Sequence, residues 1–129
     1  MELGQLRFTK THEWLRLEGN IGVVGITQHA QEEISDVVYV ELPKIGKTVQ
    51  QGEEVAVVES VKAAFSIYAP ISGRVAQVNE ALVKDPGVLN RSPYEEGWIF
   101  SMENVDGKQA QNLMDQAQYE AWVKGAGAR

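Results

Sequence analysis

Polar and apolar positions alternate along most of the first hundred residues, and the alternation breaks at glycines, prolines and short polar clusters. Leu6 to Thr9 and Glu13 to Leu17 predict short strands. The turn Glu18-Gly19-Asn20 leads into a third strand, Ile21 to Ile26. Gly22 and Gly25 weaken that strand's interior and predict a bulge or a close backbone approach. Thr27 caps a short helix through Ile34, which sets Ala30 and Ile34 on one face. Val37 to Leu42 predicts a mostly buried strand. Two β-rich runs, Ala56 to Glu59 and Phe65 to Tyr68, then flank a connection that holds Lys62. Val55, Val57, Val58, Phe65 and Ile67 favour extended backbone, so the pattern predicts a hairpin with Lys62 at its tip.

The second half continues the theme. Pro43-Lys44-Ile45-Gly46-Lys47 is echoed by Pro70-Ile71-Ser72-Gly73-Arg74, and each leads into a strand with valine. The echo suits a domain of two similar halves with the Lys62 hairpin at one end. Asn79 to Asp85 predicts one helical turn, stopped by Pro86-Gly87. Asn90 to Gly97 predicts a polar loop, and Trp98 to Met102 the last strand. Lys108 to Lys124 predicts helix in two pieces, the second capped by Asp115 with Gln118 completing a capping box. Leu113, Ala117, Ala121 and Trp122 are expected to face the body, and Gly125 to Arg129 to form a frayed tail. The fold class expected is mainly β, a small core of about 6–103 within one domain of 1–129, with a helical segment at about 108–124.

Composition narrows the function. The chain has 129 residues and no cysteine, which excludes disulfides, thiolate metal sites and cysteine nucleophiles. Its net charge of −6 disfavours nucleic acid. No apolar run is long enough to span a membrane, and the N-terminal pattern matches neither a signal nor a transit peptide, so a cytoplasmic location is expected. His12 and His29 form no metal-spaced pair, and no set of residues supplies nucleophile, base and oxyanion donors together. His12 beside Glu13 allows a base with its orienter, or simply a polar strand start. The chain is therefore expected not to be an enzyme and to hold no metal.

Lys62 suits another task. Val61, Ala63 and Ala64 leave its ammonium group accessible on a bland surface, as an enzyme that acylates one chosen lysine requires. On spacing alone an ordinary solvated charge is the plainer reading. A prosthetic arm there would supply the chemistry, with the protein giving position and surroundings. Lysine plus an acyl chain of similar length reaches on the order of 10–15 Å by covalent dimensions.

Ordered motifs decide between these. Thr11-His12-Glu13-Trp14, Gly25-Ile26-Thr27, His29-Ala30-Gln31, Val38 to Pro43, Glu59-Ser60-Val61-Lys62-Ala63-Ala64, Tyr68 to Gly73, Val78-Asn79-Glu80 and Asn90 to Trp98 occur in sequence. Together, over roughly residues 6 to 123, they resemble the glycine cleavage system H protein family. The resemblance implies a flattened β-barrel of lipoyl-domain (barrel-sandwich hybrid) type with lipoate amide-linked to Lys62, inside the lipoylation motif Glu59, Ser60, Val61, Ala63 and Ala64. It implies a shuttle among three partners: a pyridoxal-phosphate glycine decarboxylase (P protein), a tetrahydrofolate-dependent aminomethyltransferase (T protein) and a flavin dihydrolipoamide dehydrogenase (L protein). A lipoate ligase or lipoyl/octanoyl transferase would attach the arm. The loaded arm carries an amine that hydrolyses in water, so a protective pocket is expected, with Glu13 the carboxylate facing the ammonium. A lipoyl carrier for another lipoate-dependent complex, such as a relay to 2-oxoacid dehydrogenases, is the alternative. A biotin carrier fits less well, because that family places Met on both sides of its lysine. An unmodified β-barrel interaction module is the reading from a different class.

Three positions depart from the family: Ser66 stands where Asp is usual, Phe65 where Ser or Thr is usual, and Ser35 where Gly is usual. An acid at position 66 would be a second partner for the loaded amine. We predict that Ser66→Asp lengthens the lifetime of the aminomethyl-loaded arm against hydrolysis; equal lifetimes in the two proteins would refute this.

Overall fold

The computed structural model describes residues 3–125. Among these residues nine strands form two antiparallel sheets. The first sheet holds β1 (Arg7–Phe8), β2 (Glu13–Glu18), β3 (Ile21–Ile26), β5 (Thr48–Val49), β8 (Gly73–Val78) and β9 (Phe100–Glu103), in the order β1-β2-β3-β9-β8-β5. The second holds β4 (Val37–Glu41), β6 (Glu54–Ser60) and β7 (Ala64–Tyr68), in the order β4-β6-β7. One core joins them: Val24, Phe100, Met102 and Val75 from the first meet Val40, Val58 and Ile67 from the second. The sheets pack without closing into one hydrogen-bonded barrel, so the sandwich character of the expected fold prevails. Among the described residues four α-helices decorate it: α1 (Gln28–Ile34), α2 (Ala81–Lys84), α3 (Val88–Arg91) and α4 (Gln116–Lys124).

Local chemistry explains the elements. Thr27 is the N-cap of α1 and accepts from the Ala30 N–H, and Ala30 and Ile34 are buried. Asp115 and Gln118 form the expected capping box at the start of α4. The two echoed segments lie side by side. The Gly46 N–H donates to Val75 O at 2.7 Å, the Val75 N–H to Lys47 O at 2.8 Å, and Thr48 and Val49 pair with Arg74 and Gly73. At Gly46 φ is +93°, a conformation that side chains disfavour.

Of the two expectations for β3, the close approach holds and the bulge does not. β3 pairs with β2 in unbroken register from Ile21 to Ile26. Gly25 sits opposite Trp14, and a Cβ there would lie 2.6 Å from the indole. The glycine is the slot that lets the buried Trp14 lie flat on its neighbour.

Other expectations need correction. β4 is an edge strand of its sheet, and Val38 and Tyr39 are about half exposed (52% and 48%) rather than mostly buried. The loop expected from Asn90 begins as helix, because α3 tucks Leu89 into the core. In α4 it is Tyr119 that faces the body, stacked on Phe8 with ring centroids 4.7 Å apart, while Ala117 and Ala121 are exposed. Stacking two large rings outweighs burying two methyl groups. The tail expected from Gly125 to Arg129 lies, beyond Gly125, outside the described residues.

Ser35 closes α1 at φ 70°, ψ −151°, a region that is almost glycine-only. Its N–H and carbonyl are both used, by Gln31 O and Asn90 Nδ2, and glycine would keep both bonds. We predict that Ser35→Gly stabilises the fold by about 1 kcal/mol, strain relief exceeding the entropy cost of glycine. Urea unfolding measures this, and an unchanged or lower stability would contradict it.

Candidate functional site

Lys62 stands where the pattern placed it. β6 and β7 pair from Glu54–Tyr68 up to Glu59–Ala64, and Val61, Lys62 and Ala63 form the exposed tip. No Asn-Gly pair makes this turn; Ser60 does. Its N–H donates to Ala63 O at 2.8 Å, and its buried hydroxyl oxygen accepts from the N–H groups of Lys62 and Ala63, both at 3.2 Å. A side chain thus supplies the turn's missing bonds. On the other side Val37 pairs with Ser60 and Tyr39 with Glu59, so β4 braces the ribbon. Val61 is 74% exposed, and with Val38 and Tyr39 it gives the tip an apolar flank.

The Thr9 to Glu13 turn lies beside β7. Glu13 is fully buried. Its Oε1 accepts from the Thr9 and Thr11 hydroxyls at 2.5 Å each, and its Oε2 accepts from the Tyr68 N–H at 3.0 Å. Burial pushes the Glu13 carboxyl pKa up, and the bonds from Thr11, Thr9 and Tyr68 oppose that rise. Both oxygens are engaged, so the carboxylate braces the turn against β7. A cleft of about 80 Å³ opens next to it, lined by Thr11, His12, Glu33, Ile34, Phe65 and Ser66 among others. Glu13 itself lines a different hollow, with Thr9, Gln51 and Tyr68. Ser66 is also engaged: its hydroxyl donates to Glu54 Oε2 at 2.9 Å.

Two features escaped the linear pattern. His12 and His29 have ring centroids 4.6 Å apart, although 17 positions separate them. Tyr119 also reaches this site from the far end of the chain: its hydroxyl lies 2.7 Å from His12 Nδ1 and 2.8 Å from Thr27 Oγ1. Burial holds its pKa up, at about 12, so it stays a phenol. Trp14 Nε1–H donates to Pro93 O, which ties the Asn90–Gly97 segment to the same corner.

Residues 6–126 match the model of the family described as Glycine cleavage H-protein. The chain belongs to this family. It is 49% identical over 121 residues to the glycine cleavage system H protein of Myxococcus xanthus, covering 94% of each chain. It is 49% identical to that of Thermotoga maritima over 88% of this chain and 92% of the relative. The mitochondrial H protein 2 of Arabidopsis thaliana is 47% identical over 95% of this chain and 78% of its own. The crystal structure of the H protein from Mycobacterium marinum superposes with a TM-score of 0.82 at 35% identity, covering 92% and 95% of the two chains. Family membership makes the chain a non-catalytic lipoyl carrier of glycine cleavage that works with the other components of that system. Among the described residues no helix is long and apolar enough to cross a membrane.

A raised carboxyl pKa means that the folded state holds the Glu13 proton more tightly than the unfolded chain does. That linkage favours folding below the usual carboxyl value of 4.5 and is lost as pH rises through the raised one. We predict that Glu13→Gln gains stability relative to wild type as pH rises through this range. Glu13→Ala should cost about 1–3 kcal/mol, because it strands the Tyr68 N–H. Denaturant titrations across pH report both, and parallel pH profiles for wild type and Glu13→Gln would disprove the linkage.

Proposed function

We propose that Lys62 is the residue that carries lipoate, and that this chain shuttles aminomethyl groups and electrons among the glycine decarboxylase, the aminomethyltransferase and dihydrolipoamide dehydrogenase. The observation that carries the proposal is the tip itself: an exposed lysine on a turn whose backbone is fixed by Ser60 and by strands on both sides. Lipoate in amide linkage would supply a dithiolane that accepts and releases the one-carbon unit with a pair of electrons.

The chain's own residues fit this group. Among the described residues the Lys62 ammonium makes no hydrogen bond or ion pair, so acylation breaks nothing. A stiff tip removes entropy that a floppy one would lose on docking. Val61, Val38 and Tyr39 offer apolar contact to the acylating enzyme, a lipoate ligase or lipoyl/octanoyl transferase, and to the partners. Glu59, Ala63 and Ala64 keep the surrounding strand ends in register.

The cleft beside Phe65 and Ser66 begins three residues along β7 from the tip, roughly 10 Å at strand rise and within the arm's reach. Its rim of Thr11, Glu33 and Ser66 is polar and acidic, suited to an ammonium group. Glu13 stands behind that rim and holds Thr11 in place, and it meets the amine only by releasing a bond.

Coexpression with a lipoate ligase should add one lipoyl group to the intact mass of the wild type and none to Lys62→Ala. The lipoylated protein should then support exchange of bicarbonate carbon into glycine by the decarboxylase. A modified Lys62→Ala would sink the assignment of the site. Modification without exchange would favour service to another lipoate-dependent complex.

A further inference from the structure

We propose that His12, His29 and Glu33 form a binding site for a zinc-class divalent cation at the mouth of the cleft. His29 and Glu33 lie four apart on α1, the spacing that puts two side chains on one helix face. His12 comes from the turn before β2 and completes the set. One ligand atom from each residue lies within 4.8 Å of the other two. Tetrahedral zinc with bonds of about 2.0–2.2 Å holds its ligands roughly 3.3 Å apart. His29 Nε2 and Glu33 Oε2 are already 3.2 Å apart. The distances to His12 are at most 4.8 Å, so a closure of no more than about 1.5 Å completes the set.

Two further observations point to a cation rather than a simple ion pair. His29 Nε2 is screened from solvent and has no aligned hydrogen-bond partner, despite its nearness to Glu33. A screened ring nitrogen with no aligned partner is one that a bound cation would satisfy. His12, in turn, is held as metal-bound histidines are held, with one ring nitrogen on an outer partner that fixes the ring. Tyr119 bonds Nδ1 and is itself bonded to Thr27, while the His12 backbone carbonyl accepts from the Thr27 N–H at 3.1 Å. His12 has φ 73°, a conformation uncommon for a residue with a side chain, and these bonds secure it.

Two imidazoles and one carboxylate favour zinc, cobalt or nickel over magnesium or calcium, which prefer all-oxygen shells. Three protein ligands leave a fourth position open. His12 and Glu33 also line the cleft, so that position adjoins it.

Tag-free, full-length protein titrated with Zn²⁺ in a calorimeter should bind one equivalent, and Co²⁺ should give the visible bands of a tetrahedral site. Mg²⁺ should give no heat. His29→Gln and Glu33→Gln should each weaken Zn²⁺ binding about tenfold or more. Their circular dichroism and melting without metal should match wild type, which separates loss of ligand from loss of fold. Absence of one-equivalent binding in the wild type, or wild-type affinity in both variants, would overturn the site.

Discussion

The buried carboxylate of Glu13 is the polar tie on which the corner beside the Lys62 ribbon depends. The two sheets share an apolar core, but apolar contact is non-directional and tolerates sliding. Glu13, at the start of β2 in the first sheet, receives the Tyr68 N–H from β7 in the second. The same carboxylate takes both threonine hydroxyls of its own turn. An unpaired carboxylate in this position would be costly, so either these bonds hold it or the group takes up a proton. The bonds fix the turn against β7 and place the cleft beside the strand that leads to the Lys62 tip.

The same corner gathers contacts from the far end of the chain. Phe8 exchanges backbone bonds with Met114, covering the outer edge of β1 that would otherwise invite pairing with another chain. Tyr119 stacks on Phe8 and bonds His12 and Thr27. The C-terminal helix is therefore structural support for the turn that carries Glu13. Both places are fixed: the Lys62 tip by Ser60 and its flanking strands, the cleft by contacts gathered from both ends of the chain.

Much of this was legible from local pattern. The Thr27 cap, the Asp115–Gln118 box and the turn around Lys62 each depend on residues within four or five positions of one another, where spacing maps directly onto geometry. What escaped depends on separation. Neither the His12–His29 contact nor the reach of Tyr119 to His12 leaves a periodic trace. The face of α4 was misjudged for the same reason: Ala117 and Ala121 have helical spacing, but Phe8 decides which side is covered. β4 looked buried because Val38 and Tyr39 are apolar, and only the sheet order reveals an edge.

Ser35 and Ser66 show how a departure from family pattern divides into two kinds. At Ser35 the backbone angles themselves demand glycine, so the serine is strain that the surrounding bonds absorb. At Ser66 nothing in the backbone asks for an acid; the hydroxyl already has Glu54 as its partner. An aspartate there would face that glutamate across the ribbon, and two nearby carboxylates repel unless a cation lies between them. In this chain the negative charge at this edge sits on Glu54 of β6, and on Glu33 beside His29. Glu33 lines the cleft, so the cleft's acidic group comes from α1 and its β7 wall contributes only the hydroxyl of Ser66.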